Sequence, residues 1–293
     1  MNSAVDLREV PLTVRQGTPA DRNHILPLIY FEPFVHQQAG WRPPLEWIEE
    51  GTPYLLLCQR ERVQAVWLTS MEEPGIAWLR LFGVARPLDP AQAWDHLWPH
   101  ALKILQEHRV RALYLMPFSP WLAHLIQGRG FRQVTRVRNL LWTRQPLPPP
   151  RPLPSPLRLR SMTPEDLPAV LAVDRAAFPH PWKLTAADLQ RVWKEALHAT
   201  VVEDPQGIVG FQISTAGVQG AHLARLAVHP RAQRRGAGFA LVHQALTHLA
   251  RQEVYQVTVN TWAENLPALR LYQRFGFAFA LEDHPLYRFD LDT

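Results

Sequence analysis

The residues best suited to chemistry lie in Leu223–Val242, LARLAVHPRAQRRGAGFALV. An apolar strand ends at Val228. A short basic loop follows, with Gln233, Arg234, Arg235, Gly236, Ala237 and Gly238, and an amphipathic helix begins at once. A helix N-terminus presents unpaired N–H groups and about half a positive charge, which suits an anion. Gly236 and Gly238 let the backbone approach phosphate oxygens without a Cβ in the way. Arg231, Arg234 and Arg235 add positive charge. Two familiar phosphate loops do not fit. A P-loop needs Lys followed by Ser or Thr after its glycines, and none is present. A dinucleotide loop follows the first strand of its unit, whereas this one follows the third or fourth.

The elements that position this loop follow from hydrophobic period and turn chemistry. In the second half the sequence predicts helices over Glu165–Ala177 and Thr185–Ala196, then strands Ala199–Glu203, Ile208–Ser214 and Ala221–Val228. After the loop comes a helix with Leu241, Ala245 and Leu249 on one face. Strand Val254–Asn260, helix Leu266–Phe275 and a last strand Leu286–Leu291 complete the half. The first half repeats the order: helix, strands Tyr54–Cys58, Val63–Thr69 and Ile76–Val84, helix, strand Arg111–Met116, short helix, strand Val134–Thr143. This is an α/β pattern on a mixed sheet.

The halves read as copies. Thr18-Pro19-Ala20-Asp21 and Thr163-Pro164-Glu165-Asp166 are both helix starts, 145 residues apart. Gly130-Phe131 and Gly276-Phe277 lie 146 residues apart. Two distant anchors at nearly one offset indicate an internal duplication. Between the halves, Pro146–Pro156 holds seven prolines in eleven residues. It predicts an extended, semi-rigid linker. The expected domains are thus 1–145, a linker over 146–156, and 157–293.

The loop and its surroundings resemble the Gcn5-related N-acetyltransferases (GNAT). The loop fits that family's Q-x-x-G-x-G/A pattern. Asn265-Leu266-Pro267-Ala268-Leu269-Arg270-Leu271-Tyr272-Gln273-Arg274-Phe275-Gly276-Phe277 fits its N-x-x-A-x-x-x-Y-x-x-x-G-F hallmark. Within the family the second half is most similar to the ribosomal-protein N-terminal alanine acetyltransferases, through the aromatic turn Ala177–Trp182. The resemblance implies two tandem GNAT-like domains, each a mixed, mostly antiparallel sheet flanked by helices. It also implies acetyl-CoA as cofactor and a primary amine, on a peptide N-terminus or a small metabolite, as acceptor. Backbone groups of Leu226, Ala227 and Val228 would pair with the pantetheine arm. Amides of Arg234, Arg235, Gly236, Ala237, Gly238 and Phe239 would hold the pyrophosphate. Asn265 would touch the coenzyme near its thiol end, and Tyr272 would sit near the sulfur.

Acetyl transfer to an amine needs loss of an amine proton, a donor for the developing oxyanion and a proton for the leaving thiolate. A phenol has a pKa near ~10 and an alkyl thiol near ~8.5, so Tyr272 can share a proton with the sulfur. The sole cysteine lies in the other half, so direct attack in a ternary complex is expected. The base stays open. The position matching the resembled group's glutamate is Asn260, which leaves His222, Glu264, a water chain or no base at all.

The first half lacks the loop. Aligned on Pro87, it reads ARPLDPAQAWDHL, without a glycine between Gly83 and Gly128 and with Asp89 and Asp95 where arginines should be. A carboxylate there repels pyrophosphate. Ile126 stands at the tyrosine's place. Residues 1–145 therefore read as a degenerate GNAT-like domain without a cofactor loop. The tryptophans at 41, 47, 67, 78, 94, 98, 121 and 142 read as core and rim aromatics, or else as an aromatic acceptor pocket.

Composition sets the outer limits. Of 293 residues 47% are hydrophobic and 19% charged, which excludes a wholly disordered chain. No run resembles a membrane span, and Met1–Val10 does not read as a signal peptide. One cysteine, Cys58, excludes an intrachain disulfide and fits a reducing, cytoplasmic setting. His243 and His248 are off helical ligand spacing, so no metal is expected. A net charge of +5 on so long a chain favours anionic small molecules. Nucleic-acid binding through Arg231, Arg234 and Arg235 would show as steep salt dependence. The other competing reading is a non-catalytic acyl-CoA-binding or protein-interaction module.

Overall fold

The computed structural model describes residues 11–218, 220–280 and 282–291. The expectation for Met1–Val10 lies outside them. The chain divides into two compact units, one running through Val134 and joined by the segment from Leu286, the other Thr135–Pro285.

Unit 1 contains β1 (Leu12–Gln16), α1 (Arg22–Phe31), β2 (Phe34–Gln37), α2 (Pro44–Glu49), β3 (Tyr54–Gln59), β4 (Arg62–Glu73), β5 (Ile76–Val84), α3 (Pro90–Glu107), β6 (Ala112–Leu115) and α4 (Pro120–Leu125). Its sheet runs β1-β3-β4-β5-β6, closed by β14 (His284–Asp290) beside β6. Between these in the chain come β7 (Arg132–Thr143), β8 (Arg158–Ser161), α5 (Leu167–Ala177), α6 (Ala186–Lys194), β9 (Ala196–Asp204), β10 (Gly207–Gly217), β11 (Gly220–Val228), α7 (Ala237–Arg251), β12 (Gln256–Trp262), α8 (Leu266–Arg274) and β13 (Ala278–Phe279). The sheet of unit 2 runs β7-β12-β11-β10-β9-β8, with β13 also on β7. Among the described residues, the pairs within each unit are antiparallel except β5–β6 and β11–β12, which are parallel.

Two expectations need correction. The boundaries at 145 and 157 do not mark the compact units. β7 runs antiparallel to β12 from Val137↔Trp262 to Thr143↔Gln256, inside unit 2. β14 pairs with β6 from Leu115↔Tyr287 to Ala112↔Asp290, inside unit 1. Each unit takes its last strand from the other half of the chain, which chain continuity alone cannot foretell. The proline segment is also not a free spacer. It lies along α7 of unit 2. Leu147 and Leu153 pack on the two apolar clusters that α7 shares with the sheet. The Pro148 carbonyl sits 3.1 Å from His243 Nε2, and the Arg151 guanidinium lies 5.2 Å from the Phe239 ring centre.

The duplication is visible in both frames. Thr18 and Thr163 each form a capping box with an aspartate three residues on. Those aspartates are gripped from both sides by Arg15 (2.8 and 2.5 Å to Asp21) and Arg160 (2.6 and 2.9 Å to Asp166). In unit 1, β3–β5 bury Leu57, Trp67, Leu79 and Phe82 against α3 residues Trp94, Leu97 and Leu105. In unit 2, Leu223, Val257 and Val259 of the sheet meet Val242, Ala245 and Leu249 of α7. The tryptophans at 47, 67, 78, 94 and 142 are buried, and no more than 8% of any of them is exposed.

Candidate active site

The site of unit 2 begins where two parallel strands stop pairing. β11 and β12 are in register only at Ala221↔Val257 and His222↔Thr258. Beyond that point they diverge, and among the described residues no strand covers the freed edge of β11. A bulge sharpens the divergence. Ile213 of β10 opposes Arg225 and Ser214 opposes Leu223, so Ala224 has no partner. A bulge inserts one residue and resets the alternation of faces. Leu223 and Leu226 both pack on the cluster shared with α7, while Arg225 points to the other face.

There Arg225 is held from three sides. Its Nε donates to Asp174 Oδ2 at 2.6 Å, and its Nη2 donates to the Trp182 carbonyl at 2.5 Å. Its guanidinium lies 3.5 Å from the Phe178 ring centre. Asp174 is fully buried, and its other oxygen accepts from Leu184 N at 2.9 Å. This pair ties α5 to β11 and fixes the turn that carries Phe178 and Trp182. Sequence reasoning missed it. The available signal was an acid four residues after Val170 on the buried face of α5.

Between the diverging strands lies a cleft lined by Arg225, Leu226, Asn260, Thr261, Asn265 and Tyr272 with three aromatic rings, Phe178, Trp182 and Trp262. Trp182 and Trp262 are parallel within 8°, their centres 5.9 Å apart. Trp262 was not anticipated from sequence. Phe178, Leu226, Trp262, Asn265 and Ala268 also border a second groove, which runs on past Ala227, Val228, Gln233, Arg234, Gly236, Gly238 and Phe239. The cleft and the groove therefore share a wall.

The groove ends at the loop. Gln233 Nε2 donates to the Val228 carbonyl at 3.1 Å and anchors the turn to the strand. Arg234 and Gly236 both take left-handed backbone, φ +61° and +88°. That conformation is natural for glycine and costs other residues about 1–2 kcal/mol. A Cβ at Gly236 would meet nothing within 4 Å, so the conformation and not crowding selects glycine. No side chain caps α7, and its first N–H groups stay available to an anion. Ala237 is buried at that first turn. Arg231 departs from expectation: its guanidinium is committed to Asp204 (2.6 Å) and Gln206 (3.0 Å). Arg235 is exposed beside the loop and does not border the groove.

Asn265 caps α8, accepting from Ala268 N at 3.4 Å and donating to Thr261 Oγ1 at 2.9 Å. Tyr272 is 4% exposed, and burial raises its pKa above the ordinary phenol value. The hydroxyl therefore keeps its proton near neutral pH. His222 and Glu264 do not line the cleft. The His222 ring bonds Thr258 Oγ1 at 2.9 Å where the strands are still paired, and burial lowers its pKa. Glu264 is exposed and accepts from the Thr135 hydroxyl. None of the residues lining the cleft is an acid or a histidine.

The corresponding helix of unit 1 is built against anions. The Asp89 carboxylate accepts from Ala91 N (2.8 Å) and Gln92 N (3.2 Å), so α3 carries its own negative cap. Among the described residues no helix is long and apolar enough to cross a membrane.

A model of the acetyltransferase (GNAT) family matches residues 167–277. Mycothiol acetyltransferase from Acidimicrobium ferrooxidans is 30% identical over 201 residues, which are 62% of this chain and 63% of that protein. The mycothiol acetyltransferase of Thermobispora bispora is 32% identical over 176 residues, 54% and 59% respectively. The chain thus spans under two thirds of either relative's length. Among solved structures, a GCN5-related N-acetyltransferase from Sphaerobacter thermophilus aligns with TM-score 0.61 at 18% identity over 95% of both chains. A tandem GNAT protein from the clavulanic acid biosynthesis pathway aligns with TM-score 0.63 at 14% identity, over 97% of this chain and 99% of that one. Residues 167–277 thus match the acetyltransferase (GNAT) family model, in a chain whose fold is similar to that of the tandem GNAT protein.

Proposed function

We propose that unit 2 is an acetyl-CoA-dependent N-acetyltransferase acting on a primary amine. One observation carries this reading: an uncapped, glycine-bearing helix start and an open strand edge share a groove that meets the cleft holding Tyr272. Amides from Arg234 to Phe239 hold the pyrophosphate. Leu226, Ala227 and Val228 offer their backbone to the pantetheine arm, and Asn265 borders the place of its thiol end. Acetyl-CoA, when bound, supplies the thioester whose acetyl group moves to the amine. Tyr272 keeps a proton ready for the departing sulfur, and a backbone N–H near Leu226–Val228 stabilises charge on the carbonyl oxygen. The amine attacks directly in a ternary complex.

The absence of acid and histidine from the cleft lining makes water the immediate acceptor of the amine proton. His222 and Glu264 lie outside the cleft lining and reach it only through water. Such a site favours amines already partly neutral at working pH. An α-amino group, with pKa near ~7.8, has roughly 300 times the neutral fraction of a lysine-type amine near ~10.4 at about pH 7.5. α-Amino acceptors on peptides or small metabolites are the preferred class. The relatives named mycothiol acetyltransferase support the small-metabolite branch.

The test is turnover of acetyl-CoA against a panel of α-amino, amino-sugar and lysine-type acceptors over a range of pH. The expected result is amine-dependent thiol release whose pH midpoint follows each acceptor's own pKa. Tight coenzyme binding without turnover over the whole panel would instead establish a non-catalytic binding module. A midpoint fixed at one pH for all acceptors would point to a side-chain base.

A further inference from the structure

The two units differ most at the edge that in unit 2 is left free. The parallel pairs Ala77↔Leu113 and Trp78↔Tyr114 of unit 1 repeat Ala221↔Val257 and His222↔Thr258 of unit 2, all at an offset of 144 residues. Carried along the strand, that register sets Phe82, Gly83 and Val84 of β5 in the place of Leu226, Ala227 and Val228. In unit 1 this edge is already paired. β2 runs antiparallel beside it, with Phe34↔Val84, Val35↔Gly83, His36↔Phe82 and Gln37↔Leu81.

The next residue closes the gap between the diverging strands. Gln38 N donates to the Arg80 carbonyl at 2.8 Å, and Gln38 Oε1 accepts from Met116 N, just past β6, at 3.1 Å. His36 is 2% and Gln38 3% exposed, and the His36 ring stacks on Phe118. The sequence explains the difference. After α1 the chain reads Phe34-Val35-His36-Gln37, each with an N–H to donate. After α5 it reads Phe178-Pro179-His180-Pro181-Trp182, and the two prolines cannot pair as a strand.

Resting on the reading of unit 2 given above, we propose that unit 1 is closed to acyl-CoA by its own chain. β2 occupies the slot that an extended pantetheine arm requires, and Asp89 occupies the helix amides that a pyrophosphate requires. The protein then binds one acyl-CoA per chain, entirely in unit 2.

Calorimetric titration of the full chain with acetyl-CoA, paired with hydrogen exchange, tests this. The expected stoichiometry is one, with all heat lost in Gly236→Glu. Saturating coenzyme should slow exchange at residues 226–228 and 234–239 and leave residues 34–38 and 81–84 unchanged. Two sites per chain, residual binding in Gly236→Glu, or coenzyme-induced protection at 81–84 would each overturn the closure while leaving the reading of unit 2 standing. No binding at all would overturn that reading and the one-per-chain claim together.

Discussion

Replacing Asp174 by asparagine removes one charge from a pair that is almost dry. Asp174 is fully buried and the Arg225 side chain is 11% exposed. Removing one partner of a buried pair leaves an uncompensated charge and typically costs 3–5 kcal/mol. The side chains that Arg225 also holds, through the Trp182 carbonyl and the Phe178 ring, loosen with it. With a urea m-value of about 2 kcal/mol/M, the unfolding midpoint of unit 2 should fall by about 1.5–2.5 M. The double variant Asp174→Leu with Arg225→Met should regain most of that loss, since an apolar replacement of both partners is often neutral. In turnover assays Asp174→Asn should raise KM for the amine more than for acetyl-CoA, because Phe178 and Trp182 wall the cleft. A midpoint shift under about 0.5 M, or a double variant less stable than the single one, would refute the account of Arg225 as an anchored charge.

Three further outcomes follow from the geometry. Tyr272→Phe keeps the ring and its packing and deletes only the hydroxyl. It should lower kcat by roughly 10²–10⁴ with little change in KM for acetyl-CoA, checked by steady-state kinetics. Gly236→Ala has space for its methyl but not the favoured backbone, so it should weaken coenzyme affinity about 5–30-fold by titration. Burial pushes the His36 pKa down to about 4, from an unfolded value near ~6.5. A depressed folded pKa means stability fully present above about pH 6.5 and lost as pH falls towards 4, about 3 kcal/mol in all. The parent should lose that much more than His36→Gln between these limits in pH-resolved unfolding.

Much of this architecture is legible in the sequence. The bounds Ile76–Val84 of β5 are those its apolar run implied, because a strand buried along its length leaves a continuous signal. The glycine loop was legible because its backbone needs are local. What stayed hidden is non-local. Arg225 and Asp174 are 51 residues apart, and no local pattern announces their meeting. β1, β2 and β8 span 4 or 5 residues each, too short for a period to establish itself. The sequence marks β7 and β14 as strands, but chain order does not give their partners. Their partners are fixed by β12 and β6, which composition does not encode. The proline segment carries leucines at 147 and 153 that pack on α7, a detail that a linker composition conceals.

The central claim is that unit 2 takes acetyl-CoA at the loop before α7 and passes its acetyl group to an amine. Free-thiol release from acetyl-CoA, followed continuously with the purified full chain and an α-amino acceptor, tests it most directly. The account predicts release that requires the amine and vanishes in Gly236→Glu. Release that ignores the amine or survives that substitution, or no release with any acceptor, would contradict it.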